Sequence, residues 1–319
     1  MAAPQTANEV LHDFFPLMRE YKDGRVERYW ATELVPPSLD AETLTQSKDV
    51  VISPETDLSA RIFLPRNADP ANKLPLLVYF HGGGFVVESA FSPLYHNHLN
   101  LLAAEANVVA VSVNYRLAPE YPLPAAYEDA WLALKWIASR SINDEWIGKY
   151  ADLNRVYLGG DSAGGNIASN LAVRFGGEGK EKLAGINLVG VFLNCPFFCG
   201  VDPLENEDKH EVFPKTYLDK IWKYACPDTA GSDDPRINPD KDPNLWRFGC
   251  TRVLVYAAEK DVLKGRGWLF KETMMKRGWN GNIEVVEVEG EDHIFSVLFP
   301  KSENSMAMLK KVASFINNE

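Results

Sequence analysis

The chain has 319 residues, enough for one large α/β domain or two average ones, with a core that needs no disulfide or metal staple. Hydrophobic residues at 46% and charged residues at 24% exclude a disordered, collagen-like or coiled-coil chain. A formal net charge of −11 without a long basic run argues against nucleic acid or an anionic membrane as a partner.

Residues 1–45 hold the pair Pro36–Pro37 and scattered aromatics, with no strand pattern. Charge runs through residues 1–30, and Phe14–Met18 is too short for a signal-peptide core. Ser59–Leu64 alternates as a half-exposed strand does, whereas Leu74–Phe80 and Asn107–Val113 are continuous apolar runs. Tyr127–Ser139 sets Trp131, Leu134 and Ile137 on one helical stripe. The apolar run Arg155–Leu158 is followed by Ala163–Phe175, with Ala163, Ile167, Leu171 and Phe175 at i+4 spacing. Ile186–Leu193 and Arg252–Ala257 are again continuously apolar, as parallel strands covered on both faces are. Leu263–Arg277 reads as a helix stopped by Gly278, Ile283–Val288 as a strand nearer an edge, and Ser302–Asn317 as a last helix.

This order predicts an α/β chain with a mostly parallel central sheet and helices on both faces. Residues 200–245 break the alternation, being rich in Asp, Pro and aromatics around a helical piece at Pro214–Ala225. Insertions this long are usually functional. With residues 1–45 they are expected to cap the sheet's carboxyl edge within a single domain, 1–319. The uncharged run Leu183–Val201 contains Asn187, Asn194, Pro196 and three glycines, which favours a buried strand and loop over a membrane span. Cys195, Cys199, Cys226 and Cys250 complete neither a disulfide framework nor a zinc pattern. Free thiols and the lack of a targeting segment point to the cytoplasm.

Gly160-Asp161-Ser162-Ala163-Gly164 satisfies G-x-S-x-G between a predicted strand and a predicted helix. Such a turn exposes a serine oxygen as a nucleophile, and small residues at its ends let strand and helix approach. The plain alternative is a glycine-rich turn with Ser162 as helix N-cap. Upstream, His81-Gly82-Gly83-Gly84 follows the strand Leu74–Phe80. Acyl transfer needs backbone donors for a developing oxyanion, and bare glycines can supply them; the amide of Ala163 would add another. No Lys-Ser/Thr follows, so the loop is not a P-loop. His81 reads as a structural support for the glycines, with the role of base as its alternative.

The chain order serine, acid, histidine then calls for a late histidine, and His293 follows the strand Ile283–Val288. Asp261 sits on the neighbouring loop after Arg252–Ala257 and would fix the histidine tautomer, with Glu259 and Asp292 as competitors. His96 and His98 read as surface or pocket-wall residues, and His12 and His210 as parts of the cap. Phe85, Val86, Val87, Phe197, Phe198, Trp222, Ile294 and Phe295 lie on the same loops and suggest apolar walls for a small hydrophobic ester.

Several stretches together resemble the hormone-sensitive-lipase-like branch of the α/β-hydrolases. They are Tyr21-Lys22-Asp23-Gly24-Arg25-Val26-Glu27-Arg28, Tyr79-Phe80-His81-Gly82-Gly83-Gly84-Phe85, Tyr115-Arg116-Leu117-Ala118-Pro119-Glu120, Gly160–Asn166 and Glu291-Asp292-His293-Ile294-Phe295. Within that branch the chain is similar to plant carboxylesterases, a group that includes 2-hydroxyisoflavanone dehydratase-like proteins. The resemblance implies an α/β-hydrolase fold with a cap, a Ser162–His293–Asp261 triad and oxyanion donors at Gly83, Gly84 and Ala163. It implies a serine carboxylesterase without metal or organic cofactor, acting on a small ester as a monomer or homodimer. A plant specialised metabolite is the substrate it suggests, with deacetylation as one form of the reaction. Two alternatives stay open. Dehydratase-like or cyclase members eliminate or cyclise in the same pocket, although the dehydratases often carry threonine where this chain has Ser162. Gibberellin receptors keep the fold but lose the histidine that this chain has at position 293.

Overall fold

The computed structural model describes residues 9–139, 144–179, 183, 185–204 and 207–318. Strands β1 (Val10–Phe14), β2 (Met18–Tyr21) and β3 (Val26–Arg28) form a small antiparallel sheet. The central sheet begins with β4 (Gln46–Ser53), β5 (Leu58–Leu64) and β6 (Leu74–Phe80). Helix α1 (Pro93–Ala106), β7 (Val109–Asn114), α2 (Ala125–Ala138), α3 (Glu145–Tyr150), β8 (Ala151–Asp161), α4 (Ala163–Arg174) and β9 (Leu188–Asn194) follow. After α5 (Lys215–Ala225) come β10 (Arg252–Ala258), α6 (Lys264–Lys276), β11 (Asn282–Val288), the short α7 (Phe295–Leu298) and α8 (Glu303–Asn317).

The eight central strands run in the order β11-β10-β9-β8-β6-β7-β5-β4. All neighbours from β11 to β7 are parallel, and β5 and β4 are antiparallel additions at one edge. Alternate side chains of β6 serve two cores, as strand geometry requires. Leu76, Val78 and Phe80 join the core beneath α2, α4 and α6, while Leu77 and Tyr79 join the one beneath α1 and α8. Both faces are therefore covered, which is why these strands read as unbroken apolar runs.

Four expectations need correction. Residues 10–28 carry strands where no strand pattern was evident; β1 is exposed apart from Phe14, so pairing rather than amphipathic alternation defines it. The polar edge strand β4 has no counterpart among the predicted elements. Strand β5 is almost wholly buried, not half-exposed. Its Arg61 misleads the pattern: the guanidinium is buried but bonds to Asp49, the Val35 carbonyl and His96. His96 and His98 are likewise buried in α1, not at the surface or in a pocket wall.

The two stretches outside the alternation meet each other. Tyr217 Oη donates to the Phe14 carbonyl at 2.7 Å, Tyr224 Oη donates to Glu20 Oε2 at 2.8 Å, and the Phe14 and Tyr224 rings lie 4.7 Å apart. Residues 1–8, 205 and 206 of these stretches lie outside the described residues. All four cysteines are buried and free, and among the described residues no helix is long and apolar enough to cross a membrane.

Backbone packs directly against backbone at the turn from β8 to α4. A Cβ on Gly164 would stand 1.9 Å from the Phe80 carbonyl oxygen, and one on Gly160 would stand 2.4 Å from the Gly164 carbonyl carbon. Gly164→Ala should therefore lower stability by about 3 kcal/mol or more. Gly148→Ala, at an exposed position of α3 where an added Cβ meets nothing within 4 Å, should instead be neutral or stabilise by up to about 1 kcal/mol. Chemical denaturation of both variants checks the contrast; equal effects would contradict it.

Candidate active site

Ser162 stands alone between β8 and α4, with φ 51° and ψ −118°. A positive φ is costly for a residue with a Cβ, about 1–3 kcal/mol, and here the packed glycines on either side enforce it. Ser162 occupies the N-cap position of α4 but makes no side-chain capping bond. Its Oγ instead lies 3.0 Å from His293 Nε2. The capping alternative is thus not how the hydroxyl is used.

His293 Nδ1 lies 2.8 Å from Asp261 Oδ2. A carboxylate only accepts, so Nδ1 carries the proton and the neutral ring offers Nε2 to the serine hydroxyl. Asp261 is held three residues past β10 by its own amide bonding to the Ala258 carbonyl, while its Oδ1 accepts from the Leu263 amide. The loop after β11 is laced to it: the Lys260 amide donates to the Glu291 carbonyl and Lys260 Nζ to the Gly290 carbonyl. The competing acids are engaged elsewhere. Glu259 accepts from the Gly290 amide, and exposed Asp292 from the His293 amide. Burial opposes charging of His293, but the charge and hydrogen bond of Asp261, with Asp161 and Asp292 behind them, raise its pKa above the ordinary value.

Gly83 and Gly84, at φ 101° and 62°, line the same cavity as Ser162. Ala163 is the first residue of α4, so its amide has no intrahelical acceptor. His81 is buried and stacked on Tyr115 with centroids 4.2 Å apart, and its Nδ1 meets the Gly82 carbonyl at 2.8 Å. Burial lowers its pKa to about 4, so it stays neutral while it braces the loop.

A polar link between this loop and the elbow escaped sequence reasoning. Asp161 is fully buried and accepts from Tyr79 Oη at 2.8 Å and Tyr95 Oη at 2.7 Å. Tyr95 Oη in turn accepts from the Gly82 amide at 2.7 Å. Burial raises the Asp161 pKa to about 6 against these bonds. The motif itself contains Asp161, but its partners come from β6 and α1, and no spacing announces them.

The cavity over Ser162 encloses about 310 Å³, at the lower end of small-molecule sites. Phe197 and Ile294 line it, as does Val87. Phe85, Val86, Phe198, Trp222 and Phe295 do not: they are buried in the cores behind it. Phe85 is packed against Phe197, Tyr127 and Trp222, and the Trp222 indole donates to Thr229 Oγ1. The missing wall comes from Leu17 and Trp30 near β2 and β3, Phe213, Tyr217 and Ile221 at α5, and Phe299 after α7. His210 is in the wall as well, whereas His12 packs against Phe14 and Tyr224.

Among the described residues, one group of three potential metal ligands comes together: Cys195, Asp261 and His293, within 4.8 Å of one another. Burial holds the Cys195 thiol protonated, and the Nδ1 proton already joins His293 to Asp261, so the donor set suits hydrogen bonding better than a metal.

Residues 77–297 match the family model of the α/β hydrolase fold. Among known sequences, a 2-hydroxyisoflavanone dehydratase of Glycyrrhiza echinata is 44% identical, covering 98% of this chain and 97% of the relative. Probable carboxylesterase 2 of Arabidopsis thaliana is 45% identical, covering 98% of each. Among solved structures, a thermostable carboxylesterase from a metagenomic library matches with a TM-score of 0.72 at 28% identity over 90% of both chains. An esterase of Pyrobaculum calidifontis matches at 0.69 with 27% identity, covering 85% of this chain and 84% of that one. The chain belongs to the α/β-hydrolase fold family, in its plant carboxylesterase-like branch.

Proposed function

We propose that the protein is a serine carboxylesterase that hydrolyses small, largely apolar esters through an acyl-enzyme on Ser162. The observation that carries this reading is the aligned chain Ser162 Oγ, His293, Asp261, at 3.0 and 2.8 Å, opening into one cavity with Gly83 and Gly84. In this mechanism His293 Nε2 takes the proton as Ser162 Oγ attacks the carbonyl carbon, then returns it to the leaving alcohol. Asp261 holds the tautomer and stabilises the imidazolium. Amides of Gly83, Gly84 and Ala163 bind the oxyanion. Water, activated by the same histidine, releases the acid. Residues from the first 45 positions and from 200–245 act as the cap, since they supply much of the wall. No metal or organic cofactor takes part, and a plant specialised metabolite in the cytoplasm is the natural setting.

A second reading is elimination with His293 as base and Ser162 only positioning the substrate. Its support is the near-equal identity to a named dehydratase and a named carboxylesterase. The two readings part at Ser162. Ser162→Ala should lower kcat on 4-nitrophenyl acetate by at least about 10⁴-fold, and an organophosphate should label Ser162 alone. Retained conversion of a 2-hydroxyisoflavanone by Ser162→Ala would favour elimination, and a label on another residue would sink the esterase.

The charge pattern sets the pH dependence. Only neutral imidazole accepts the serine proton, so kcat/KM should rise with pH through one limb. Because Asp261 and its neighbours raise the His293 pKa, that limb should lie above the ordinary histidine value of about 6.5. Asp161→Asn removes one of the negative charges that favour imidazolium, so its limb should move to lower pH. A pH–rate profile with an unmoved or raised limb in this variant would contradict the assignment.

Tyr95→Phe tests the link to the oxyanion loop. It removes the acceptor of the buried Gly82 amide while keeping the ring. We expect kcat to fall about tenfold or more with little change in KM, because the loop's donors act chiefly on the transition state. Steady-state kinetics in which KM alone rises would assign Tyr95 to binding instead.

A further inference from the structure

The cavity over Ser162 contains a polar group that the proposed chemistry leaves unused. Glu88 lies in its wall, on the loop from β6 to α1 that also carries Gly83 and Gly84. Its φ of 77° is in the left-handed region, costly for a residue with a side chain. It is 7% exposed, and its Oε2 is buried without a hydrogen-bond partner. Burial raises its pKa, against hydrogen bonds from Ser92 and Ser89. A strained, buried carboxyl with an unfilled oxygen is uncommon in a folded protein and calls for an explanation.

The surroundings narrow that explanation. Among the described residues that line the cavity there is no Lys or Arg, and the acids are Glu88, Asp261 and Asp292. Asp261 is engaged by His293 and the Leu263 amide, and Asp292 is exposed. Anionic substrates are therefore disfavoured. Trp30, Phe197, Phe213 and Tyr217 offer aromatic faces around the remaining space. The terminal torsion of a glutamate is soft, so a partial turn can bring the unfilled oxygen toward a ligand.

We propose that Glu88 is a specificity-determining residue whose unfilled carboxyl oxygen accepts a hydrogen bond from a substrate hydroxyl, so that the site selects neutral aromatic esters bearing a hydroxyl over their unhydroxylated counterparts. The inference rests on reading this cavity as an esterase site and names the substrate class of that site. A hydroxylated ligand supplies the missing donor. An unhydroxylated one displaces water and leaves the carboxyl unpaired, so gain and penalty act in the same direction.

Two matched series locate the hydroxyl. One is 4-nitrophenyl phenylacetate with its 3- and 4-hydroxyphenyl counterparts; the other is phenethyl acetate with its 3- and 4-hydroxyphenethyl counterparts. The readout is the ratio of kcat/KM, hydroxylated over plain, which cancels any general loss of activity in a variant. In at least one series the wild type should favour a hydroxylated member by about tenfold, the size of one well-made hydrogen bond to a charged or buried group. Glu88→Leu should bring that ratio to within about twofold of one. Glu88→Gln, whose amide oxygen still accepts, should keep it within about threefold of wild type. If Glu88→Leu does not fold, Glu88→Met carries the same comparison. Calorimetric binding of the same esters to Ser162→Ala, with and without Glu88→Leu, repeats the ratio without turnover. Absent hydrolysis with a Glu88-dependent binding preference would sink the esterase reading and retain Glu88. Absence of any hydroxyl preference in the wild type, or a preference unchanged by Glu88→Leu, would overturn the proposal.

Discussion

The site depends on one steric constraint, the contact between the start of α4 and the end of β6. Helix and strand touch backbone to backbone there, because Gly160 and Gly164 have no Cβ to hold them apart. The contact leaves a single residue to reverse the chain between β8 and α4, and that residue is forced to positive φ. Its side chain then projects from the carboxyl edge of the sheet toward the loops after β10 and β11. The same approach sets the first residues of α4 beside the glycine loop after β6. Nucleophile, base, acid and amide donors thus come from four strand ends. Their separations follow from the interstrand spacing of a parallel sheet, not from long side chains reaching across a void.

A second layer of order comes from buried polar bonds that join these strand ends. Asp161 connects β8 to β6 through Tyr79 and to α1 through Tyr95, and Tyr95 passes the connection to the Gly82 amide. Tyr115 donates to the His81 carbonyl on the other side of the loop. A run of three glycines would be loose in solution, since each has a large conformational freedom to lose. Here its first amide and the preceding carbonyl are each tied to a phenol that is itself buried. The loop's flexibility is spent on adopting unusual angles, and the tyrosines then hold those angles.

How much of this is legible in the sequence depends on how local each signal is. The parallel strands were evident because burial on both faces leaves an unbroken apolar run, and Leu74–Phe80 is a strand over those same limits. The elbow and the glycine loop were evident because both are contiguous, and Asp261 and His293 because chain order and strand ends restrict the choice. Strands β1 to β4 are not, since they are short, polar or exposed and carry no clear apolar alternation, although each pairs with a neighbour in sequence. Arg61 concealed the burial of β5, because a paired guanidinium in a core has the same sequence signature as a solvated one. The cavity wall was the least legible part. Phe85 and Trp222 lie near the right motifs yet face the core, while Leu17 and Trp30 come from a stretch far away in sequence. Proximity to a motif identifies the loop a residue belongs to, but not which side of the loop it lies on.

The histidines show how finely the environment decides chemistry. His81 and His98 are buried, and burial, against one backbone hydrogen bond each, lowers their pKa values to about 4. Both rings therefore stay neutral near pH 7. His293 suffers the same penalty as its largest single influence, yet its pKa moves the other way. The difference is a carboxylate 2.8 Å from Nδ1, with two further acids behind it. Asp261 can play this part because its other oxygen is satisfied by the Leu263 amide, so it remains a fixed acceptor for one ring. Asp161 contributes from a position where it already holds two phenols. One carboxylate thus orders the oxyanion loop and also favours charge on the imidazole. Strand end and electrostatics are coupled at that residue, and a change made there for either reason alters both.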